Sequence, residues 1–475
     1  MTLPKRKEKL STLLLIWSLA WPTMAEQIMN TAVQYIDTAM VGSLGTDASA
    51  AVGSTTTIGW LVFSTISAFA IGFLSHVARA CGADDIDRAK RFSAQAVFTV
   101  LVLGVFFTAA TLLLSPFIPV WMRVDSSIAP MASTYFFILY TPMLARTASS
   151  IFGTVLRAAG DTRSPMKVGI AVNIINIILN FLLIYDTREI MIFGKEFKIW
   201  GAGLGIVGAA SASAFAYFVG GVIITVIFYK HQKISPKGYS IRPDISLLSP
   251  CLKISIPNML QRFATSFGYV AFASMINSIG PVATAAHSFA NTVESAFYIP
   301  GFGMQTAAAT LTGNAYGARD NKKMKSVCRA FIPLEICLMM ISGATLFFAA
   351  PYLMDIFSSD TAVITLGATV LKMVAISEPL YGFSIIVEGM LMGVGKTTLP
   401  FIYNVIGMWG VRIVFTFIFT QLLPFGLIAA WGCMIGHNIL LFFMYLVTYI
   451  RGKWNPLNTY KAENCNKLLT NPSIV

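Results

Sequence analysis

Charge is scarce in this sequence. Only 12% of its 475 residues are charged, whereas 56% are hydrophobic, and the mean hydropathy is +0.71. A soluble globular domain carries about 25% charged residues, so this composition excludes an ordinary soluble enzyme. The longest polar stretch inside the chain, residues 231–245, has only the length of a loop. Functional side chains are therefore expected on the apolar segments themselves.

Cysteine pairs and histidine clusters are missing as well. The cysteines, at positions 81, 251, 328, 337, 433 and 465, form no CxxC motif, and the four histidines form no HExxH motif. These absences argue against a disulfide framework and against a metal centre. An enzyme working inside a membrane would need a metal or a nucleophile with its base. We therefore predict that the chain is not an enzyme and needs no cofactor.

The sequence does contain long apolar runs. A helix needs about 20 apolar residues to cross a bilayer, and each run is close to that length or longer. The first run follows MTLPKRKEKL but has no small-residue cleavage site, so it is expected to stay in the mature protein. The pattern predicts an all-α polytopic membrane protein with twelve transmembrane helices. The runs cover residues 12–41, 50–75, 92–116, 130–155, 166–185, 202–229, 248–277, 283–312, 330–351, 364–393, 399–423 and 425–450.

Basic residues are distributed unevenly between the loops. Both tails and the loops that follow even-numbered spans carry most of the 34 lysines and arginines. By the positive-inside rule, this bias predicts a multi-pass protein of the cytoplasmic (inner) membrane with both termini in the cytoplasm. The net charge of +13 then faces anionic headgroups, so we expect membrane lipids and no nucleic acid as partners. The opposite loops carry only Arg123, Arg188, Lys195 and Lys198.

An internal repeat divides the chain. One constant offset aligns SLGTDASAA at 43 with SIGPVATAA at 278, CGADD at 81 with YGARD at 316, and LRAAGDTRSP at 156 with LMGVGKTTLP at 391. Twelve of 24 aligned positions are identical, where chance would give about two. Because six helices separate equivalent positions, the halves share one orientation. We predict two pseudo-symmetric six-helix lobes, residues 1–236 and 237–475.

Two nucleotide-binding patterns are excluded by their context. The GxGxxG sequence at residues 203–208 opens a membrane helix with no strand before it. Gly395-Lys396-Thr397 ends like a P-loop, but Met390 stands where the first glycine is needed. The segment 82–91 is similar to a loop of major-facilitator transporters, with one residue too many between its glycine and aspartate. A transporter of that type remains an alternative.

The first span carries a polar stripe. Glu26, Asn30, Gln34 and Asp37 fall within about 80° on one helical face. Pro22 lies just before them, where its missing N–H can create a hinge. The fifth span has an amide stripe that we expect to face either the first stripe or a wet cavity, with static interhelical packing as the alternative. That second stripe consists of Asn173, Asn176 and Asn180.

The second half has a different set of polar residues. Charged groups deep in a membrane cost about 3 kcal/mol each, so they need a partner, water or a function. Glu335, Lys372 and Arg146 are expected to reach span ends instead. The residues expected deep in the membrane predict either a network that contacts substrate or a structural Glu–Arg clamp. A single histidine such as His287 is more often a hydrogen-bonded core residue than a ligand. The deep residues are His287, Asn291, Glu294, Tyr298, Gln261, Arg262 and Glu388.

Several motifs together resemble the multidrug and toxic compound extrusion (MATE) transporters of bacteria. They are PTMAEQIMNTAVQYIDTAMVGSLG in the first span, LRAAGDTRSP after the fourth, GIVGAASAS opening the sixth and GMLMGVGKTTLP after the tenth. The resemblance implies two six-helix bundles that form a V around a central cleft. It also implies a monomeric secondary exporter that exchanges organic, mostly cationic compounds for H+ or Na+. A lipid-linked saccharide flippase of the same superfamily is the alternative.

The resemblance also implies a cation-coupling site. The family positions correspond here to Asp37, Asn176, Asn180 and Ser213. Asn180 stands where many members have a second carboxylate, so a lone carboxylate could hold either Na+ or a proton. Some members use acidic residues on helices 7 and 10 of the other lobe. The residues at those places here are Gln261 and Tyr381.

Overall fold

Twelve long helical segments make up the computed structural model, which describes residues 3–122, 124–192, 195–452 and 454–458. This confirms the all-α prediction. Arg123 and the tail from residue 459, including Cys465, lie outside the described residues. The segments are α1 (Leu3–Gly42), α2 (Thr46–Gly82), α3 (Ile86–Leu114), α4 (Ala129–Tyr140 and Met143–Ala158), α5 (Arg163–Leu183), α6 (Gly205–Lys230), α7 (Ile245–Asn277), α8 (Pro281–Gly317), α9 (Asn321–Phe357), α10 (Thr361–Gly393), α11 (Thr398–Leu422) and α12 (Gly426–Ile450).

Eight of these helices are long and apolar enough to cross a membrane by themselves. The other four are α1, α4, α7 and α8. Helices α1, α7 and α8 carry several of the polar residues identified in the sequence, and α4 is interrupted at Thr141 and Pro142. The interruption was not predicted. Proline there cannot donate to the carbonyl four residues earlier, so the α-helical hydrogen bonding breaks.

Large apolar side chains cover the outside of the helices. Leu113, Phe348 and Ile450 are 73%, 75% and 73% exposed. Such a surface would aggregate in water but is favourable against lipid tails, where nonpolar groups need no burial. The exposure pattern therefore agrees with the membrane location inferred from the composition.

The segment between α5 and α6 differs from the predicted loop. It forms an antiparallel hairpin of β1 (Asp186–Ile192) and β2 (Lys195–Ala202), in register from Arg188 opposite Ile199 to Ile192 opposite Lys195. The sequence EIMIFGKEFKIW is rich in isoleucine and aromatic residues, which favour strands. The run was too short to be recognised beside the long helices. Within α11, residues Ile406–Ile413 and Ile418–Leu422 are π-helical, which the sequence does not indicate.

The described chain forms two compact units. The N-terminal unit contains Glu26–Phe73 and Ile86–Ser249, and the C-terminal unit contains Met1–Ala25, Leu74–Asp85 and Pro250–Val475. In the C-terminal unit, α10 packs against α8, α9 and α12, and in the N-terminal unit α6 packs against α4 and α5. The division of the sequence at residue 236 and the cleft between lobes stay predictions.

The repeat is visible in matched helices. Helices α2 and α8 begin and end at positions that the repeat makes equivalent. Their last turns cross inside the C-terminal unit, where a Cβ on Gly82 would overlap the backbone of Asn314 and one on Gly317 would overlap the backbone of Arg79. These two contacts are also equivalent under the repeat. The glycines of the CGADD and YGARD motifs therefore permit backbone-to-backbone packing.

Candidate cation site

The stripes of α1 and α5 face each other in the N-terminal unit, as one of the two sequence alternatives predicted. Asn173 donates from Nδ2 to Asn30 Oδ1 at 3.1 Å, and Asn180 donates from Nδ2 to Asp37 Oδ1 at 2.6 Å. Both pairs have the same separation in sequence, so the helices run parallel and in register. The polar groups of each helix thus satisfy those of the other away from lipid.

Three other residues of the predicted site lie around Asp37. Asn180 also donates to Asn176 Oδ1 at 3.2 Å, and Asn176 Nδ2 lies 2.9 Å from Ser213 Oγ. If the oxygen and nitrogen of the Asn176 amide exchange places, the amide donates to Asp37 Oδ1 at 2.8 Å and accepts from Ser213 at 2.9 Å. Asn176 and Asn180 are buried, at 5% and 1% exposure. A single carboxylate therefore lies among neutral amide and hydroxyl groups, each of which can turn either a hydrogen-bond donor or an acceptor toward it.

Carboxylate, amide and hydroxyl oxygens lie near one another in this cluster. The buried Asn180 Oδ1 makes no hydrogen bond to any described residue. An orphaned acceptor in a buried site is costly unless a ligand satisfies it. The Asp37 carboxylate, the Asn176 carbonyl oxygen and Ser213 Oγ are further oxygen atoms of the cluster, and the nitrogen of the Asn180 amide, not its oxygen, faces Asp37 in this structure. A proton on Asp37 would need only the carboxylate.

The other stripe residues lie elsewhere. Glu26 forms a salt bridge with Arg157 of the LRAAGDTRSP motif, whose Nη2 lies 2.6 and 2.7 Å from the two carboxylate oxygens. Its Cγ packs over α5, 3.4 Å from where a Cβ on Gly169 would stand. About 16 Å of helix rise separates Glu26 from Asp37. Gln34 is exposed, and no hydrogen bond joins its side chain to the Asp37 cluster among the described residues. The structure therefore does not bring Glu26 or Gln34 into the cation site.

The salt bridge between Glu26 and Arg157 is expected to stabilise the fold without any part in ion coupling. The two side chains are mostly buried, at 17% exposure for Arg157 and 14% for Glu26. Removing one partner of a buried pair leaves an uncompensated charge and costs about 3 kcal/mol. We expect Glu26→Gln to lower the free energy of unfolding in mixed micelles by about that amount, and Glu26→Arg with Arg157→Glu to recover part of it.

The exposed pair between Arg91 and Asp87 offers the matched control. Its two side chains are 60% and 56% exposed, so Arg91→Gln should cost less than about 1 kcal/mol. Equal losses in the two single variants would show that burial of the Glu26 pair contributes nothing, and no recovery in the swapped variant would contradict the pairing itself.

Pro22 lies near a boundary within α1. The helix is continuous through it, and Pro22 is buried. Thr23 donates from Oγ1 to Gly303 O at 2.9 Å, and the backbone of Met24 packs against Gly303. The division between the two units falls after Ala25. The proline therefore removes a hydrogen bond close to the point at which the helix passes from one unit into the other.

The deep residues of the C-terminal unit form separate contacts instead of one network. Gln261 donates from Nε2 to Glu388 Oε1 at 2.8 Å. Arg262 donates from Nε to Asn258 Oδ1 at 3.1 Å and is close enough to Glu388 to interact electrostatically. The substrate network and the Glu–Arg clamp both stay predictions.

The polar residues of α8, which are His287, Asn291, Glu294 and Tyr298, also make separate contacts. Trp431 donates from Nε1 to His287 Nδ1 at 3.3 Å, so His287 is a hydrogen-bonded core residue. Tyr298 packs edge-on against Tyr381, with ring centroids 6.0 Å apart. Asn291 is exposed, whereas Glu294 is buried.

Of the three charged residues expected near span ends, the structure corrects Glu335, and the expectations for Arg146 and Lys372 stay predictions. Glu335 does not reach a span end, because it is completely buried. Arg146 lies against the rings of Tyr140 and Tyr217 in the N-terminal unit, at 5.0 and 4.4 Å from their centroids. Lys372 lies over the Phe347 ring at 5.9 Å and is half-buried. Sequence periodicity could not place them, since the partners are distant in the chain.

The partner of Glu26 is not indicated by the sequence, in which Arg157 is one of several basic residues after the fourth span. Its pairing with Glu26 depends on α4 and α1 lying side by side, which no local pattern reports. The five described cysteines are free thiols.

Comparison with known proteins shows the family. The MatE family model matches residues 22–182 and 257–418. The two matched ranges begin at Pro22 and Pro257, which are equivalent positions of the repeat. The chain therefore belongs to the MATE family, whose members are transporters and not enzymes, need no cofactor and are driven by ion gradients.

Relatives and solved structures agree with this assignment. The chain is 27% identical to a protein named probable multidrug resistance protein NorM from Thermotoga maritima, over 95% of each sequence. It shares its fold with an outward-facing multidrug resistance MATE transporter of the MOP superfamily, at a TM-score of 0.85 and 20% identity, covering 94% of this chain and 97% of the other. A MOP superfamily transporter from Pyrococcus furiosus, whose reversed pocket polarity suggested a different function, has the same fold. Its TM-score is 0.85 and its sequence identity is 20%, and the match covers 94% of this chain and 97% of that chain. The chain is thus a multi-pass inner-membrane protein of the multidrug efflux transporter type.

Proposed function

We propose that this protein is a secondary exporter that moves organic, mostly cationic compounds outward in exchange for H+ or Na+. The observation that carries the proposal is the Asp37 cluster, in which one carboxylate is paired with a buried amide whose oxygen makes no hydrogen bond to any described residue. A site of this kind can bind either a proton or a monovalent metal ion reversibly. Only an ion that binds one conformation better than the other can shift the equilibrium between them.

The coupling step follows from the residues around Asp37. With no cation bound, amide N–H groups face the carboxylate and stabilise its charge. Cation binding removes the need for these donors, so the amides can turn their oxygens toward the ion. Because Asn176 also contacts Ser213 of α6, this rearrangement is transmitted from α1 and α5 to α6. Substrate and ion would then compete because each stabilises a different conformation of the unit.

Ethidium efflux from proteoliposomes tests the proposal. A Na+ gradient and a pH gradient are imposed separately, with the membrane potential clamped. We expect accumulation against the ethidium gradient with at least one of them. Each tenfold ion gradient supplies about 1.4 kcal/mol, so a one-for-one exchange can sustain about a tenfold substrate gradient. Efflux that neither gradient drives would contradict an ion-coupled exporter.

Pro22 is proposed as a hinge of α1. Alanine would restore the N–H and a hydrogen bond to Ser18 O, stiffening the helix next to the unit boundary. We expect Pro22→Ala to slow ethidium turnover severalfold while its Kd stays nearly constant. Pro257→Ala, the equivalent change at the repeat position in α7, is the control for the removal of a proline from inside a helix. Weaker binding with unchanged turnover per bound substrate would assign Pro22 to the pocket.

The flippase alternative receives less support from the buried arginines. Such a protein would need several arginines lining one cavity for lipid-linked phosphates. Arg146 lies against two tyrosines, Arg262 is held by Asn258 and Glu388, and Arg412 lies over the Phe272 ring at 4.0 Å. Arg146 belongs to the N-terminal unit and the other two to the C-terminal unit.

Both termini are proposed to lie in the cytoplasm. The supporting observation is the concentration of lysine and arginine in the tails and in the loops after even-numbered helices. A green fluorescent protein fused after residue 458 should fluoresce in the cytoplasm, and an alkaline phosphatase fusion there should be inactive. Active phosphatase would reverse the orientation.

A further inference from the structure

Arg412 of α11 is a buried cation of the C-terminal unit whose hydrogen-bond donors are not all used. It is 3% exposed, and its Nε and Nη2 make no hydrogen bond to any described residue. None of the described carboxylates forms an ion pair with it. A guanidinium group stays charged in proteins, and a buried charge without a partner is strongly destabilising. Arg412 therefore needs an acceptor from outside the described chain.

Two aromatic rings of α7 hold the guanidinium group of Arg412. Its central carbon lies 4.0 Å from the centroid of the Phe272 ring and 4.8 Å from the centroid of the Tyr269 ring. The ring faces attract the positive charge, but they offer no acceptor to N–H groups that lie in the guanidinium plane. Nε and Nη2 form one edge of that plane, so their hydrogens point in nearly the same direction. This edge can bind one anion through both N–H groups.

A further donor comes from α12, which packs against the π-helical part of α11. His437 of α12 is 6% exposed, and neither ring nitrogen makes a hydrogen bond to any described residue. Its ring lies on the backbone of Gly407, where a Cβ would stand 2.6 Å from Nε2. Gly407 precedes Arg412 by one π-helical turn, and helical side chains lean toward the N-terminus of their helix, so Arg412 extends toward His437. A neutral imidazole carries one N–H on either nitrogen.

The internal repeat places this arginine where the N-terminal unit has the Asp37 cluster. Phe272 is the repeat equivalent of Asp37, and Arg412 is the equivalent of Ile177 on α5. Arg412 and Tyr269 are separated by the same 143 residues as the hydrogen-bonded pairs that join α1 to α5, so α7 and α11 keep the same register. The place at which the first half offers a carboxylate thus offers a guanidinium group in the second.

Glu294 of α8 is the described carboxylate that could balance Arg412 instead. It is 7% exposed and close enough to Arg412 to interact electrostatically. The two side chains nevertheless form no ion pair, and the Nε and Nη2 of Arg412 stay without a hydrogen bond to any described residue. Glu294 therefore does not take up the N–H edge of Arg412.

We propose that Arg412 and His437 form a binding site for a small monovalent anion, with chloride as the physiological ligand. A single-atom anion can accept hydrogen bonds from both N–H groups of the Arg412 edge and from one imidazole N–H. Because both side chains are almost completely buried and the His437 ring lies on helix backbone, a lipid headgroup or an organic acid would have to separate α11 from α12 to enter. Bound chloride joins these two helices. The inference does not depend on the proposed ion-driven export.

The test measures binding of radioactive chloride to the purified full-length protein in detergent. Sodium gluconate keeps the Na+ concentration and the ionic strength constant, and we expect saturable binding of a single chloride per chain. Arg412→Leu should abolish this binding. Arg412→Lys keeps the charge but loses the two-pronged edge, so its Kd should be weaker by about tenfold. Arg262→Gln is the matched control and should bind chloride as the wild type does, because Arg262 already donates from Nε to Asn258.

Several results would overturn the chloride site. They are no saturable binding by the wild type, undiminished binding by Arg412→Leu, and an equal loss in Arg412→Leu and Arg262→Gln, which would report total positive charge instead of a site. Should Arg412→Leu fail to fold, wild-type crystals grown in bromide give a second measurement at the bromine absorption edge. An anomalous peak beside Nε and Nη2 of Arg412 supports the site, and the absence of a peak there overturns it.

Discussion

Asp37→Asn is expected to abolish ion-driven efflux while leaving folding and membrane insertion intact. The amide has the same shape and can still hydrogen-bond Asn180, but it can neither carry a negative charge nor take up a proton. At a hundredfold gradient of the coupling ion, a one-for-one exchange sustains about a 100-fold ethidium gradient, which should fall to about 1 in the variant. Ethidium accumulation in proteoliposomes measures the effect.

An exposed aspartate provides the control for this substitution. Asp47 lies in the first turn of α2 and is exposed, so Asp47→Asn removes the same charge outside the cluster. Its accumulation ratio should remain at the wild-type value. If a well-expressed Asp37→Asn variant transports normally, Asp37 has no part in coupling and its contact with Asn180 only holds α1 against α5.

Asn180→Asp is expected to shift the coupling ion toward H+. The side-chain nitrogen of Asn180 lies 2.6 Å from Asp37 Oδ1, so the substitution places two carboxyl groups at hydrogen-bond distance. Two adjacent carboxylates cannot both remain ionised in a buried site, and the pair would hold a proton more firmly than Asp37 alone. Any Na+-driven efflux of the parent should fall by an order of magnitude or more relative to H+-driven efflux. The measurement is initial efflux against imposed pH and Na+ gradients.

The same change two turns earlier on α5 tests whether position matters. Asn173 donates to Asn30, a neutral amide, and therefore Asn173→Asp creates no carboxyl pair. We expect its preference between H+ and Na+ to match the parent. An identical ion profile for Asn180→Asp and the parent would place Asn180 outside the coupling site and make its stripe a packing feature.

Much of the candidate site followed from helical periodicity. The stripe of Asp37 and Asn30 on α1 and that of Asn173 and Asn180 on α5 each share one face because the helix repeats about every 3.6 residues, whatever its neighbours. The structure shows these stripes in contact, as both a coupling site and static packing would require. Periodicity alone also grouped Glu26 with Asp37, although Glu26 pairs with Arg157 instead.

The sequence by itself determined the membrane class, the twelve helices and the internal repeat, because hydrophobicity, helix length and repetition are properties of the chain read locally. It could not determine which buried charges have partners. The salt bridge of Glu26, the ring contacts of Arg146 and the burial of Glu335 depend on residues far away in the chain. Only the tertiary structure brings those residues together, and in a medium without water each charge is stabilised or destabilised by whichever side chains lie beside it.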